Sequence, residues 1–492
     1  MPNVKDIIDF LKNPSKEDVK LISRAFEFTE NAHEGQKRFS GEDFFIHPFE
    51  TAKILAKLQL DSQTIAAALL HDVCEDCLIT GGKTKIDEKI IKKEFGQEIA
   101  FLVNGVTKLG TLKFKGEQEK AENLRRMFFA MAKDIRVVLI KLADRIHNIR
   151  TIEYVPKDKQ KRIAVETLEI YAPLANRLGM GNIKGELEDL SFPYVYPEDY
   201  EKTKELIKDK YEQKKKNLAK IKYRLNEEIK NNGVKDFKMD SRVKHLYSLY
   251  KKLKRPEINM DINLIYDLIA IRIIVKDIED CYKVLGIIHK MWKPLPGKIK
   301  DYIAMPKLNG YQSLHTTVFA DAGNITEIQI RTEEMHKEAE SGIAAHWAYT
   351  ESDKPRSGGK FHAKLAWVNQ LVDWQKDTSQ ASQPKDFLEA LKIDFFNDRV
   401  FCLTPKGDII DLPEGATAID FAYAVHAEIG NQAVGANINN KFVSLETILK
   451  NGDIVEIKTQ KNKKPSAEWL NHTKTSLAKK QIKSFLKKKR DL

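Results

Sequence analysis

Apolar residues in the first 195 positions recur at spacings of three and four, for example in IAAALLHDV (residues 65–73) and MFFAMAKDIRVVLIKLADRIHNI (residues 127–149). Such spacing places apolar side chains on one face of a helix, whereas the alternation typical of strands is scarce here. The stretch SFPYVYPEDY (residues 191–200) contains two prolines and predicts a break. The pattern therefore predicts an all-helical domain over residues 1–195.

The next part of the chain, residues 200–350, has a mixed pattern. Residues 200–230 are rich in lysine and predict an exposed polar helix. The elements predicted after it are a helix at 242–253, an apolar strand at 265–275, a helix at 281–292, a loop at 293–310, and short strands around 315–320 and 325–332. This order predicts an α+β domain.

The remaining residues predict a linker followed by a smaller unit. ESDKPRSGGK (residues 351–360) is polar and contains Gly and Pro, which indicates a linker, and residues 361–392 predict one or two helices. Residues 396–458 predict a small β-rich unit with hairpin signals at PKGD, PEGA and NGD. Residues 459–492 form a basic tail.

Composition narrows the class of protein. The chain has 492 residues, of which 42% are hydrophobic and 31% charged, and it contains no signal-peptide core or apolar run long enough to span a bilayer. Four cysteines suit a reducing cytosol, and the lone Cys74–Cys77 CxxC predicts packing rather than zinc or redox chemistry. We therefore expect a cytoplasmic protein without a membrane partner.

The net charge of +12 is concentrated at the end of the chain. Residues 461–492 hold 11 Lys/Arg against 2 Asp/Glu, which gives 11 − 2 = +9 and leaves 12 − 9 = +3 for the other 460 residues. Nucleic-acid contact is therefore an expectation for the tail alone, and a solvated end is the alternative.

One group of polar residues indicates a metal site. In ALLHDVCED, His71, Asp72, Glu75 and Asp76 span less than half a helical turn at about 100° per residue. A helix face with an imidazole and three carboxylates needs a cation or many hydrogen bonds when it is buried. A solvated acidic face is the alternative.

Two further residues extend this group from other segments. His47 lies in FFIHP, and Asp144 lies in KLADRIHNIRT on another amphipathic helix. Two histidines and two aspartates suit Mn²⁺ or a similar ion, which makes hydroxide available near neutral pH. Glu75 and Asp76 are then candidates to orient that water or to carry its proton.

A second group indicates phosphate binding. Lys244, Ser248 and Lys252 follow one stripe of the predicted helix at 242–253, and Arg242 follows Ser241, a candidate N-cap. A helix N-terminus with Arg and Lys attracts phosphates. A basic solvent-exposed face is the alternative.

Acidic and aromatic residues accompany this basic helix. Asp267 opens the apolar strand and is a candidate ligand for Mg²⁺. Glu327 alternates with apolar neighbours in EIQIR and is a candidate base or orienter for an attacking hydroxyl. Tyr311, on a Gly-containing loop, is a candidate to stack on a purine, with ordinary packing as the alternative.

Three sets of motifs resemble the RelA/SpoT homologue family, whose members make and break the alarmone (p)ppGpp. RFSGEDFFIHP, LLHDVCED and KLADRIHNIRT resemble its HD-type hydrolase domain, GIIHKMWKPLPGKIKDYIAMPKLNGYQSLHTTV resembles its synthetase domain, and DLPEGATAIDFAYAVHAEIGN resembles its TGS domain. The resemblance implies an all-α HD-type domain, an α+β nucleotidyltransferase-like domain and a small β-rich TGS domain.

For the hydrolase domain, the resemblance implies removal of the 3′-pyrophosphate to give GDP or GTP. The implied Mn²⁺ ligands are His47, His71, Asp72 and Asp144. Glu75 and Asp76 are implied to activate the water, and Arg38 and Asn148 to hold the nucleotide. Asp43 departs from the family pattern, which has proline there.

For the synthetase domain, the resemblance implies transfer of pyrophosphate from ATP to the 3′-hydroxyl of GDP or GTP, with Mg²⁺. The implied roles are adenine clamping by Arg242 and Arg272, ATP-phosphate binding by Lys244, Ser248 and Lys252, metal and hydroxyl contacts by Asp267 and Glu327, guanine stacking by Tyr311, and completion of the acceptor site by Asn309 and His315. Lys300 lies in Lys298–Asp301, which corresponds to a basic Arg-x-Lys-Asp motif of two-activity members.

For the TGS region, the resemblance implies sensing of a ribosome-bound, uncharged tRNA end through His426, with ordinary packing of His426 as the alternative. The resemblance extends to about residue 470, and it implies that the helical, zinc-binding and ACT-like modules of longer members are absent here. The basic tail would then be the start of the helical module.

The leading hypothesis is a bifunctional enzyme with mutually exclusive conformations of its two active domains, because simultaneous synthesis and hydrolysis would waste ATP. A second hypothesis keeps one activity and makes the other domain a nucleotide sensor. A third, from another class, is a non-catalytic protein that binds RNA or the ribosome, which predicts salt-sensitive binding and no turnover.

Overall fold

The computed structural model describes most of the chain, namely residues 2–76, 86–110, 117–307, 309–345 and 399–488. The chain forms two compact units, one of residues 1–112 and 126–374 and the other of residues 113–125 and 375–492. Among the described residues, no helix combines the length and the apolar character needed to cross a membrane. The predicted linker, the helices predicted at 361–392, and Cys77 lie outside the described residues.

The elements that the structure describes up to residue 231 are helices, and the predicted all-α class of this part is confirmed. The helices are α1 (Lys5–Ile8), α2 (Lys16–Ala32), α3 (Ile46–Lys57), α4 (Ser62–Leu70), α5 (Val73–Asp76), α6 (Glu88–Phe95), α7 (Gln97–Gly110), α8 (Glu117–Lys133), α9 (Arg136–Arg150), α10 (Lys157–Glu166), α11 (Ala172–Arg177), α12 (Gly181–Val195) and α13 (Pro197–Asn231). A π-helical turn at Thr167–Tyr171 joins α10 to α11.

Helix α4 lies at the centre of this helical part. The Asp61 carboxylate accepts a hydrogen bond from the Thr64 backbone N–H at 2.7 Å, which fixes the start of the helix. Every residue from Thr64 to Leu70 is buried, and the helix contacts α2, α3 and α7. The C-terminal end of α4 is therefore a rigid position inside the domain.

The break predicted at 191–200 is narrower than expected. Helix α12 continues through Pro193 to Val195, and α13 starts at Pro197 after the single residue Tyr196. The prediction that α13 is an exposed polar helix is wrong for one of its faces. Leu218, Ile221, Leu225 and Ile229, spaced by three or four residues, are buried against the following sheet.

The next part of the chain forms a five-stranded sheet, and the predicted α+β class is confirmed. Its strands are β1 (Phe237–Val243), β2 (Ile269–Val275), β3 (Lys300–Asp301), β4 (Leu314–Phe319) and β5 (Ile325–Thr332). The spatial order is β1-β2-β5-β4-β3, and only the β2–β5 pair is parallel. The helices of this part are α14 (Leu246–Leu253), α15 (Ile278–Met291) and α16 (Glu333–Ser341).

Alternation along the strands separates a core face from a polar face. Ile271, Ile273 and Ile328 belong to the hydrophobic core shared with α13, α14 and α15. Arg272 and Glu327 occupy alternate positions in the same strands and therefore lie on the opposite face. This opposite face carries the polar residues that the sequence pattern singled out.

The predicted start of the helix at 242–253 is wrong. Ser241 and Arg242 belong to β1, where Arg242 pairs with Ala270 of β2. Helix α14 begins at Leu246, and His245 occupies the N-cap position that was predicted for Ser241. Pairing with the neighbouring strand outweighs the local preference of Ser241 for a helix start.

The second unit contains the β-rich fold. Its elements are β6 (Arg399–Leu403), β7 (Ile409–Pro413), α17 (Ala418–Val425), α18 (Ala427–Gln432), β8 (Ala433–Ile438), β9 (Lys441–Val443), β10 (Val455–Thr459), α19 (Trp469–His472) and α20 (Ser476–Lys488). Strands β6 and β7 form one hairpin, and the other strands form a sheet in the order β10-β8-β9.

The hairpin signals in this unit have different outcomes. PKGD lies in the turn between β6 and β7, as predicted. PEGA leads from β7 into α17, because Thr417 and Asp420 form a capping box that starts the helix. NGD precedes β10, whose partner is β8. The tail is not simply a solvated end, because Ile482 of α20 is buried in this unit's core.

Candidate active sites

Four side chains from three segments meet in the helical part and form what we call the helical site: His47, His71, Asp72 and Asp144. His47 lies in the first turn of α3, His71 follows the last residue of α4, and Asp144 lies within α9. One ligand atom from each of these three residues lies within 4.8 Å of the others, and all three residues are buried. His47 Nε2 is 3.2 Å from Asp144 Oδ1 and 3.4 Å from Asp72 Oδ2.

The His71 ring is oriented to offer a lone pair. Its Nδ1 lies 2.8 Å from the Ala68 carbonyl oxygen, which can only accept, so Nδ1 carries the proton. Its Nε2 lies 3.2 Å from Asp72 Oδ1 but makes no hydrogen bond, although it is buried. An unpartnered imidazole nitrogen beside carboxylates fits a divalent metal ion, and the helical site is therefore a possible metal site.

His147 orients His47 in the same way, and sequence reasoning missed it. His47 Nδ1 lies 2.8 Å from His147 Nδ1, and Arg38 Nη1 donates to the same His147 nitrogen at 2.9 Å. Because Arg38 can only donate, His147 Nδ1 accepts from both, and His47 Nε2 is left unprotonated. Burial, together with the neighbouring His47 ring and the charged Arg38 guanidinium, lowers the pKa of His147 to about 3.

Two residues predicted to hold the nucleotide border the helical site. Asn148 Nδ2 donates to Asp144 Oδ1, and Arg38 Nη2 donates to Asn148 Oδ1 at 3.0 Å. Lys141 Nζ contacts the other Asp144 oxygen at 2.6 Å. Burial alone would raise the pKa of Asp144, but Lys141 and His47 hold it well below its usual range.

The prediction that His71, Asp72, Glu75 and Asp76 share one helix face is wrong. Helix α4 ends at Leu70, His71 and Asp72 occupy a turn, and α5 begins at Val73. The turn still directs Asp72 towards His47. The side chains of Glu75 and Asp76 lie outside what the structure describes. Asp43, the departure from the family pattern, makes an exposed pair with Lys37 at 2.6 Å.

A second cluster, which we call the sheet site, lies on the polar face of the sheet around Asp267 and Glu327. Asp267 precedes β2 and contacts Lys244 Nζ at 2.5 Å and Lys252 Nζ at 2.9 Å. Burial opposes ionisation, but the two ammonium groups hold the pKa of Asp267 well below its usual range. Lys244 lies before α14 and Lys252 near its end, and the two still meet at one carboxylate as their predicted spacing implied.

Glu327 is connected to the predicted acceptor residues. His315 Nδ1 lies 3.2 Å from Glu327 Oε1, and the Tyr311 hydroxyl lies 2.7 Å from His315 Nε2. Gln329 Nε2 also donates to Glu327 Oε1, at 3.0 Å. The register places Lys300 opposite His315 and His315 opposite Gln329, so three strands contribute to this cluster.

One residue of the predicted adenine clamp, Arg272, is held by two carboxylates. The sequence pattern did not point to either of them. Arg272 Nε and Nη2 donate to Asp240 at 2.9 and 2.5 Å, and Nη1 donates to Glu340 at 2.9 Å. Burial alone would raise the pKa of Glu340, but three arginines, including Arg242 and Arg272, lower it. Arg242 and Arg272, on the adjacent strands β1 and β2, thus both lie near enough to Glu340 to lower its pKa.

The structure also shows the hydrogen bonds of three other predicted site residues. Ser248 is directed away from Asp267, and its hydroxyl donates to Glu188 of α12 at 3.0 Å. Asn309 Nδ2 donates to the Asn176 carbonyl at 3.3 Å, and Asn309 Oδ1 accepts from the Tyr311 backbone N–H. His426 in the second unit is exposed, and its Nδ1 accepts from the Glu428 N–H at 3.3 Å.

Comparison with known proteins defines the class. An HD domain model matches residues 25–181, the model of a region found in RelA / SpoT proteins matches residues 241–354, and a TGS domain model matches residues 400–459. The helical site falls within the first match and the sheet site within the second.

Relatives that match nearly the whole of this chain show the family. The chain is 47% identical over 474 residues to the GTP pyrophosphokinase of Myxococcus xanthus, covering 96% of this chain and 61% of that protein. It is 46% identical over 468 residues to the guanosine-3′,5′-bis(diphosphate) 3′-pyrophosphohydrolase of Aquifex aeolicus, covering 95% of this chain and 64% of that protein.

The likeness extends to a relative that the chain covers more fully. A guanosine-3′,5′-bis(diphosphate) 3′-pyrophosphohydrolase of Vibrio cholerae is 44% identical over 488 residues, covering 99% of this chain and 67% of that protein. The chain belongs to the RelA/SpoT homologue family. It spans a little over three fifths of the length of the Myxococcus and Aquifex relatives.

Proposed function

We propose that this chain both makes and breaks (p)ppGpp. The observation that carries the proposal is the presence, in one chain, of two separate polar clusters suited to different chemistry. The helical site groups imidazoles and carboxylates for a metal ion, and the sheet site groups lysines and carboxylates for phosphates. Relatives of this chain carry the names of both a pyrophosphokinase and a pyrophosphohydrolase, which supports two activities.

Hydrolysis takes place at the helical site. His47, His71, Asp72 and Asp144 hold Mn²⁺, which when bound supplies a Lewis acid that lowers the pKa of water. Arg38 and Asn148 bind the nucleotide beside this cluster. Glu75 and Asp76 orient the attacking water and take its proton. The reaction converts (p)ppGpp and water to GDP or GTP and pyrophosphate.

Synthesis takes place at the sheet site. Lys244 and Lys252 exchange their contacts with Asp267 for the phosphates of ATP, Ser248 joins them, and Asp267 becomes available to hold Mg²⁺. Glu327, oriented by His315, accepts the proton of the attacking 3′-hydroxyl of GDP or GTP. The β,γ-pyrophosphoryl group passes to that hydroxyl and AMP leaves.

The remaining sheet-site residues select the two nucleotides. Arg242 and Arg272 clamp the adenine of ATP, because guanidinium planes stack on aromatic rings. Tyr311 stacks on guanine. The site for the acceptor nucleotide is completed by Lys300, Asn309 and His315. For Arg272, clamping requires release from Asp240 and Glu340.

We propose a regulatory role for the second unit. Its TGS region contacts the end of an uncharged tRNA on the ribosome through His426. The exposure of the His426 ring supports this role over packing in the core. Protection of the tRNA 3′ end by the wild-type chain but not by a His426→Ala variant would test it.

Two assays on the purified chain test the enzymatic proposal. The first supplies ATP, GDP and Mg²⁺, and the second supplies ppGpp and Mn²⁺, with nucleotide-resolved chromatography as the readout. We expect ppGpp and AMP from the first and GDP from the second. Product in only one assay would favour a one-activity enzyme with a sensor domain, and salt-sensitive RNA binding without turnover would favour the non-catalytic hypothesis.

A further inference from the structure

A cavity of about 270 Å³ lies beside α13, where this helix faces the beginnings of β2 and β5. Leu218, Ile221 and Ile269 form an apolar wall. The polar lining consists of Lys210, Gln213, Lys214, Asn217, Asn324 and Thr326. Neither the helical site nor the sheet site includes any of these residues.

Two lysines one helical turn apart dominate the lining. Lys210 Nζ donates to the Ile262 carbonyl and to Asn263 Oδ1, both at 2.9 Å. Lys214 Nζ donates to the carbonyls of Ile265 and Tyr266 at 3.2 and 3.0 Å. An ammonium group has three N–H donors, so each lysine retains one donor for a further acceptor.

The carboxylates near this pair act on it at longer range than an ion pair: Asp261 acts on Lys210, and Asp267 and Glu327 act on Lys214. Within the ranges that the structure describes, neither Lys210 nor Lys214 has a carboxylate within the 4.0 Å that defines an ion pair. Burial, together with the neighbouring Lys210 charge, lowers the pKa of Lys214 to about 8. A bound anion would relieve the repulsion between the two ammonium groups, because opposite charges stabilise partly buried cations.

The amide groups around the lysines suit the same ligand. Asn217 Nδ2 donates to Asn324 Oδ1 at 2.9 Å, and Gln213 lies between the two lysines in the sequence of α13. Amide N–H groups and ammonium groups are the donors that phosphate oxygens accept from. The volume is slightly below the roughly 300–1,000 Å³ typical of sites for larger ligands, which favours a small anion.

We propose that this cavity binds a diphosphate group, with Lys210 and Lys214 as its principal ligands. Two sources share this chemistry: free inorganic pyrophosphate and the diphosphate end of a nucleotide. The cavity adjoins the sheet site but has its own lining, which includes neither Lys244 nor Lys252.

Calorimetric titration of the full chain with pyrophosphate, in metal-free buffer, tests the proposal. The informative variant is Lys210→Gln with Lys214→Gln. Its matched control is Lys208→Gln with Lys215→Gln, which removes the same charge from two exposed positions of the same helix. We expect the cavity variant to weaken pyrophosphate binding at least about tenfold, since charge-assisted hydrogen bonds are lost, and the control to stay within about twofold of the wild-type chain.

A third variant covers the case in which loss of the two lysines prevents folding. Gln213 is exposed, so Gln213→Glu adds a negative charge to the cavity rim without disturbing the core. We expect it to weaken pyrophosphate binding several-fold. Equal pyrophosphate affinity in the wild-type chain and Gln213→Glu, or in the cavity variant and its control, would overturn the proposal.

A parallel titration with GDP, in wild-type and cavity-variant chains that both carry Tyr311→Ala to weaken the proposed acceptor site, distinguishes the two sources. An equal loss of GDP affinity in the cavity variant identifies the diphosphate end of a nucleotide as the ligand. A loss confined to pyrophosphate identifies the free anion, and both results support a diphosphate site.

Discussion

The ring of His147 connects two functional side chains of the helical site. It accepts hydrogen bonds from both His47 and Arg38, so it fixes the ring that we propose as a metal ligand and the guanidinium that we propose binds nucleotide. Partners of this kind set the orientation and the tautomer of a ligating histidine. His147 is therefore a positioning residue rather than a ligand.

Replacement of His147 tests this role. We expect His147→Ala to lower Mn²⁺ affinity in the hydrolysis assay by about 10–100-fold, because His47 loses the acceptor that orients it. His147→Gln retains a carbonyl acceptor and should recover most of the loss. Metal titration of hydrolysis provides the measurement, and synthesis should stay unchanged. Equal effects of the two substitutions would contradict a hydrogen-bonding role.

For single residues, the sequence identified the members of the two sites better than the neighbouring side chains that orient them. The HD pair and the family motifs pointed to His47, His71, Asp72 and Asp144, and the structure brings these residues together. Helical spacing shows that His147 shares a face with Asp144 but not which side chain lies across from it. The contacts of Asp240 with Arg272 depend on strand register, which the sequence pattern did not reveal.

Among the elements, the approach of α11 to α16 depends on glycine. Gly342 follows α16 with a φ of +58°, and a Cβ added there would lie 2.3 Å from the Leu178 carbonyl oxygen. The Ile343 N–H donates to that same carbonyl at 2.9 Å. The backbone of the helical part and the backbone after α16 are thus in direct contact, which only glycine permits.

Gly342→Ala should therefore be costly. We expect it to lower the free energy of unfolding by about 2–4 kcal/mol, since left-handed backbone strain and a backbone clash combine. Gly297 has a φ of +70° but nothing within 4 Å of an added Cβ, so Gly297→Ala should cost only the strain, roughly 1–2 kcal/mol. Denaturant unfolding compares the two variants, and equal costs would show that the contact is unimportant.

Element types were predictable where periodicity was long, as in the helical part and in strands β2 and β5. The beginning of α14 was not predictable from Ser241, because pairing of β1 with β2 extends to Val243. The buried face of α13 was missed because lysines outnumber its apolar residues, and the spacing of Leu218, Ile221, Leu225 and Ile229 was the signal that could have revealed it.

Across the first unit as a whole, α12 of the helical part contacts α14 of the sheet part through carboxylates. Glu188 accepts from the Ser248 hydroxyl at 3.0 Å and pairs with Lys251 at 2.8 Å. Asp189 accepts from the Tyr247 backbone N–H at 2.9 Å. These carboxylates occupy the start of the helix that we propose binds ATP phosphates, so they compete with ATP in this conformation.

Neutralising both carboxylates should favour synthesis. We expect Glu188→Gln with Asp189→Asn to lower the KM for ATP roughly three- to tenfold, because charge-assisted contacts with Ser248 and Lys251 are weakened. Glu186→Gln on the same helix, which removes a pair with Arg150, should leave that KM unchanged. Steady-state kinetics of ppGpp formation measures both, and an unchanged or higher KM in the double variant would refute the competition.

The independence of the two clusters within one chain is the central claim, and reciprocal variants test it most directly. Nucleotide-resolved chromatography of both reactions should show that Glu327→Gln abolishes ppGpp synthesis but retains hydrolysis, and that Asp72→Ala does the reverse. If either variant loses both activities while its circular dichroism spectrum and melting temperature match those of the wild-type chain, the claim of two separate sites is contradicted.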